Sequence, residues 1–209
     1  MGEPLVVFNP ETEHTLRGSR SDVVVSSLDF VPTILDWLGL SYPNQAIAAG
    51  KPAKLTGTSI LPLTEAGKEE EGLVRSAYAS HNYHSLYAYY PMRAIVQGDY
   101  RLVHNIASDL SFGILEDVYG TSTWRKIMND TSQQRETGWI YDYHAYKHRP
   151  EFELYHLIDD PLSLHNLAAN KSHEGIFATL QAQLFHWRED TGDPWLPCQD
   201  GSKQGVCSV

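Results

Sequence analysis

The stretch MRAIVQGDYRLVHN, residues 92–105, decides how this chain folds. Its two halves, 92–96 and 100–105, are rich in apolar and β-forming residues. Gln97-Gly98-Asp99 between them is a turn signal, so the segment predicts a β-hairpin. Runs at 74–79 and 152–157 predict two further strands. From 173 to 189, Ile176, Phe177, Leu180, Leu184 and Trp187 recur at helical spacing, which predicts an amphipathic helix lying over the strands on that face. Ser172 is placed to cap this helix, and Gly192 with Pro194 to end it. Antiparallel strands with a covering helix make an α+β pattern. Residues 107–150 carry Tyr, Trp, Ser and Thr without clean periodicity and predict an irregular excursion with short helical pieces.

Upstream, EPLVVF (residues 3–8) predicts a short buried strand ending at Asn9-Pro10. Residues 29–38 predict a helix with Asp29 as its cap, Pro32 in its first turn, Leu28, Val31, Leu35 and Leu38 on one face, and Gly39 as its stop. Residues 41–75 look irregular, and the acidic run Glu69-Glu70-Glu71 precedes a boundary near residue 72. The chain therefore divides into 1–72 and 73–209. A strand such as EPLVVF belongs in the middle of a larger sheet. Without one it presents unpaired edges and apolar surface, so these residues alone are expected to be poorly soluble or oligomeric.

The chain has 209 residues, 42% hydrophobic and 20% charged, which is globular composition. The formal net charge of −10 argues against nucleic acid as a partner, because phosphate backbones need a basic surface. No apolar run is long enough to span a bilayer, and Met1-Gly2-Glu3-Pro4 does not read as a signal peptide. The ten histidines qualify the acidity: well below their ordinary pKa most of them would carry charge, and the net charge would approach zero. Cys198 and Cys207 read as a loop-closing disulfide or, in a reducing compartment, as free thiols. Two glycosylation sequons, at Asn129 (Asn-Asp-Thr) and Asn170 (Asn-Lys-Ser), favour the oxidising, secretory reading.

Three segments resemble sulfatases of the alkaline-phosphatase-like superfamily. They are SLDFVPTILDWLGL (27–40) with LTGTSILPL (55–63), YPMRAI (90–95) with GDYRLVHN, and ELYHLIDDPLSLHNLA (153–168), in which Ser163 stands where the family usually has an acidic residue. SYPNQAI, the surroundings of TGWIYD, and the tail WREDTGDPW with its Cys pair are similar more specifically to the sulfamidase family, the N-sulfoglucosamine sulfohydrolases. The resemblance runs in the family's order through nearly the whole chain. It implies a C-terminal antiparallel α+β subdomain preceded by the last strand and helix of a large N-terminal α/β domain. It also implies an enzyme of heparan sulfate breakdown that acts on N-sulfated glucosamine in the lysosome, reached by the secretory route, with a homodimer as the whole enzyme.

That chemistry needs a formylglycine made from the Cys of a C-x-P-S-R motif, and a calcium ion held by acidic residues and an Asn, because attack on an anionic sulfuryl group requires its charge to be neutralised. Cys198 is followed by Gln-Asp-Gly and Cys207 by Ser-Val, and the Asp-Asn-Gly sequence of the metal site is missing. No residue here is therefore assigned a catalytic or metal-binding role, and the missing N-terminal sulfatase domain becomes the expected partner. The pair Asp159-Asp160 reads as part of a structural turn. For substrate, the resemblance implies a histidine loop before YPMR. His84 is the candidate contact for a sulfamate or carboxylate of a heparan sulfate oligosaccharide, with Asn82 and His81 as hydrogen-bonding neighbours. His81 and His84 lack a third ligand for zinc. Arg93 reads as a structural salt-bridge partner. Trp139, Tyr141, Tyr143 and Tyr146 read first as packing and second as sugar-stacking platforms. The alternative to an incomplete sulfamidase is a non-catalytic, stand-alone glycan-binding or interaction module with the same fold.

Overall fold

The structure, a computed structural model, describes residues 4–10, 18, 20–42, 55–64, 75–83 and 88–195. The chain forms two compact units, one of residues 1–77 with 96–98, the other of residues 78–95 with 99–209.

The second unit carries most of a four-stranded antiparallel sheet of order β1-β2-β3-β4, with β1 Ser76–Tyr83, β2 Tyr89–Gln97, β3 Tyr100–Asn105 and β4 Phe152–His156. The β2–β3 hairpin turns at Gly98, whose φ of 54° is left-handed, a conformation that favours glycine. β4 returns antiparallel to β3, with Leu102 opposite Leu154, Tyr100 opposite His156 and His104 opposite Phe152. The cross-strand pairs touch: the His104 and Phe152 rings stack at 4.5 Å, and Tyr100 meets His156 at 4.7 Å.

Helix α5, Glu174–Thr191, covers this face. Leu180 and Leu184 join Ile95, Leu102 and Leu154 in a core from which solvent is excluded, and Ile176, Phe177 and Trp187 pack against it as their spacing predicts. The start of the helix differs from the expectation. Asn170, not Ser172, supplies the cap: its side chain accepts from the Ser172 amide and opens a 3-10 turn, Lys171–His173, that leads into α5. Asn reaches back over its own turn more readily than a serine already inside it. The end is as expected, with Gly192 in the left-handed conformation.

Between β3 and β4 lie three short helices, α2 Glu116–Tyr119, α3 Ser122–Ser132 and α4 Tyr143–Lys147. After β4 the chain folds back along its open edge. The Asn166 side chain accepts from the Leu154 amide at 2.9 Å and donates to the Phe152 carbonyl at 3.0 Å, and the Leu167 amide donates to the Leu154 carbonyl. An asparagine and one backbone group thus stand in for a fifth strand and close the edge.

In the first unit, α1 spans Phe30–Trp37 and stops before Gly39, which has φ 63°. Asp29 does not cap it. Ser26 caps the 3-10 turn Ser27–Asp29, with a reciprocal bond from the Ser26 amide to Asp29. The buried Asp29 carboxylate instead takes the Thr58 amide at 2.8 Å and pairs with Arg75 at 3.1 Å. The strand expected at 3–8 is not formed over residues 4–9, where Val6 is 89% and Phe8 77% exposed. A strand exists through its hydrogen-bonded neighbour, and no strand pairs with this run among the described residues. The α1 face reads as apolar, yet α1 buries none of its residues, and Leu28, Val31 and Leu38 are all exposed.

Candidate functional site

His81 and Asn82 lie near the end of β1, and Arg93 lies in β2 beside them. All three are tied into structure. Arg93 is 3% exposed and donates from every guanidinium nitrogen: Nε and Nη2 to the two carboxylate oxygens of Asp193 (2.9 and 2.8 Å), and Nη1 to the His81 carbonyl, the Asn82 Oδ1 and its neighbour Met92's carbonyl. The His81 Nδ1 lies 3.1 Å from the Tyr90 carbonyl, a pairing that makes this nitrogen the donor. His84, two residues beyond Asn82, lies outside the described residues, as do Cys198 and Cys207. Asn129 and Asn170 are exposed; the Oδ1 of Asn129 accepts from Gln133 in the last turn of α3, and that of Asn170 forms the cap described above.

Asp193 is shared. Its Oδ2 also accepts from Arg188 Nε at 2.8 Å. Arg188 is fully buried, donates from Nη2 to the Trp195 carbonyl and points Nη1 at the His104 Nδ1, 3.0 Å away. Trp195 lies over Arg93, 5.2 Å from ring centre to guanidinium, and donates its indole N–H to the Tyr89 hydroxyl. Two guanidiniums therefore face one carboxylate, whose acidity is strengthened by bonds from Arg93, Trp195 and Arg188 against its own burial. His104 must accept from Arg188 and so is neutral. Burial first, then the nearby Arg188 and Arg93 charges, push its pKa down to about 4. Of the ten histidines, this one does not join the charge gain expected on mild acidification.

Sequence reasoning assigned Arg93 to a salt bridge but not to a partner, and missed Arg188, Asp193 and His104. A signal was present. Arg188 follows Leu180 and Leu184 at four-residue spacing, on the face that reads as core, and Asp193 and Trp195 sit in the tail WREDTGDPW.

Asp160 is engaged as a turn brace: its carboxylate accepts from the Leu164 and His165 amides and its carbonyl from Ser163. Ser163, at φ 56°, receives a bond from Arg101. Among the described residues no group of three His, Cys, Asp or Glu side chains is placed to hold a metal. No helix of the described residues is long and apolar enough to cross a membrane.

The network can hold β1, β2, β3 and the end of α5 in register; its donors are saturated, so Arg93 is not free to grip an anion. What such a frame belongs to is answered by comparison. Over 200 residues, 95% of its length, the chain is 38% identical to N-sulphoglucosamine sulphohydrolase of Homo sapiens. The chain is similar to a sulfamidase over nearly its whole length. It spans 39% of the length of that human protein, and 31% of an ulvan-active sulfatase from Formosa agariphila, to which it is 28% identical over 179 residues. No family model matches. A solved 2-O GAG sulfatase superposes with a TM-score of 0.48 at 17% identity, over 80% of this chain and 25% of that one. The sulfamidase similarity takes in the tail that supplies Arg188, Asp193 and Trp195, as well as the α5 face and the hairpin.

Proposed function

We propose that these residues serve as the C-terminal part of a sulfatase acting on N-sulfated glucosamine of heparan sulfate, with residues 1–72 belonging to the large catalytic domain and 73–209 forming the smaller one. The observation that carries the reading is the 38% identity over 95% of the chain to a sulfamidase. In support, the sequence has no C-x-P-S-R or Asp-Asn-Gly motif, and the first unit leaves apolar side chains uncovered on residues 5–8 and α1. The nucleophile, the calcium ligands and the cover for that surface come from polypeptide that these 209 residues do not contain.

In this reading His84 reaches the substrate. Asn82 and His81 hold the base of its loop through Arg93 and Tyr90, so their part in binding is to position. The compartment is acidic and reached by the secretory route, where Cys198 and Cys207 pair and Asn129 and Asn170 are open to glycosylation. The test is complementation. Supplying the N-terminal portion of a sulfamidase, joined or co-expressed, restores sulfate release from a glucosamine N-sulfate, and His84→Ala raises KM more than it lowers kcat. Sulfate release by these residues alone would overturn the reading.

A further inference from the structure

Between the end of α3 and the start of α4, Thr131 and residues 134–143 line an open surface cleft of about 640 Å³. This is within the range of small-molecule sites, about 300–1,000 Å³. Apart from Thr131, which completes the Asn129 sequon, its residues have no role in the sulfatase reading.

The cleft is built on an aromatic lattice. Trp139 is half-buried and meets Trp124, Tyr141 and Tyr146 edge-on, at 5.9, 5.6 and 4.9 Å between ring centres. Packing accounts for those rings. The outward side of the lattice stays open to solvent: Tyr141 is 38% and Ile140 55% exposed. The Tyr141 hydroxyl donates to the Leu162 carbonyl at 3.3 Å, which restrains the ring while leaving part of it accessible.

The rim is polar and of mixed sign. Arg135, Glu136 and Asp142 line it, the last also capping α4 through the Ala145 amide, and Gln134 and Thr137 add amide and hydroxyl groups. Gln134 sits at φ 53°, two residues past α3, where the Gln134 and Arg135 amides close the helix end on the carbonyls of Thr131 and Asp130. Glycine is the usual occupant of that position because a side chain there is strained. A long amide is held there instead, on the border of the cleft.

Accessible aromatic and aliphatic surface ringed by carboxylate, amide and hydroxyl groups matches the two faces of a pyranose: C–H groups for the ring, hydroxyls for the rim. Two carboxylates against one guanidinium disfavour a sulfated unit. We propose that this cleft binds an uncharged saccharide.

The test uses the full chain, made without N-linked glycans and immobilised, with neutral tetramers of β-1,4-linked glucose and of N-acetylglucosamine and an N-sulfated heparan tetrasaccharide as probes. At least one neutral tetramer binds saturably and shifts tryptophan emission, and the sulfated one binds more weakly. Tyr141→Ala weakens binding by about tenfold, the scale of one lost ring contact. Ile140→Ala, at a position too exposed to matter for folding, weakens it too and serves where the tyrosine variant unfolds. Gln134→Gly weakens binding while raising the thermal midpoint. Failure of both neutral tetramers to bind, equal binding by a folded Tyr141→Ala chain, or tighter binding of the sulfated tetrasaccharide would each overturn the proposal.

Discussion

Arg93 and Asp193, a hundred residues apart in sequence, meet in a bidentate pair with side chains 3% and 4% exposed. The pair joins β2 to the segment just past α5, and the fully buried Arg188 draws on the same carboxylate.

Removing the shared carboxylate is therefore worse than removing either cation. Asp193→Ala leaves two buried guanidiniums without a counter-charge, and a loss of about 3–5 kcal/mol is expected, the usual scale for an orphaned buried charge. Arg188→Met leaves a balanced Arg93–Asp193 pair and loses less. Urea midpoints of the two variants give the order, and equal losses would show that charge balance is not what the site satisfies.

His104 makes the fold sensitive to acid. Its pKa is 6.5 when unfolded and about 4 when folded. Between those values the unfolded chain binds a proton that the folded chain refuses. Stability is thus fully present above pH 6.5 and falls as the pH drops through the window, by about 3 kcal/mol at its lower end. The lowered pKa of Asp193 acts in the same direction, so the contribution of His104 is read as a difference. His104→Gln, which keeps an acceptor for Arg188 without the titration, flattens the pH 4–7 dependence of the urea midpoint.

Asn166 closes the open edge of β4 by accepting from the buried Leu154 amide. Asn166→Ala strands that donor, and a loss of about 1–3 kcal/mol follows. Amide exchange at Leu154 rises in the variant by more than at Leu102, whose strand is paired on both sides.

Gly57 is where the 55–64 segment passes the start of α1. A Cβ there would lie 2.0 Å from the Leu28 carbonyl oxygen, backbone that cannot yield. Gly57→Ala displaces the segment, breaks the Thr58 amide bond to Asp29, and exposes the Asp29–Arg75 pair. Loss of protection at the Thr58 amide, with the α5 amides unchanged, is the expected exchange pattern.

The exposed Val6, Phe8, Ile34, Trp37 and Leu38 make self-association the expected behaviour of the isolated chain. Light scattering checks this, with a double Val6→Lys, Phe8→Lys variant expected to shift the distribution toward monomer. A clean, stable monomer of the unaltered chain would contradict it.

The sequence by itself determined the elements whose signal is local. The 92–105 hairpin, the strand at 152 and the α5 face follow from side-chain periodicity and from glycine at left-handed turns, physics that acts within a few residues. The strand expected at 3–8 but not formed over residues 4–9, and the misplaced caps, mark its limit: an apolar run states that it wants cover, not which partner supplies it, and Asp29 served a distant amide and arginine in place of its own helix. Tertiary structure alone decided the buried Arg93–Asp193–Arg188–His104 cluster and the neutral state of that histidine. Ion pairs and desolvation depend on which groups meet in space, and the 92–105 hairpin meets the end of α5 there, some ninety residues away in sequence.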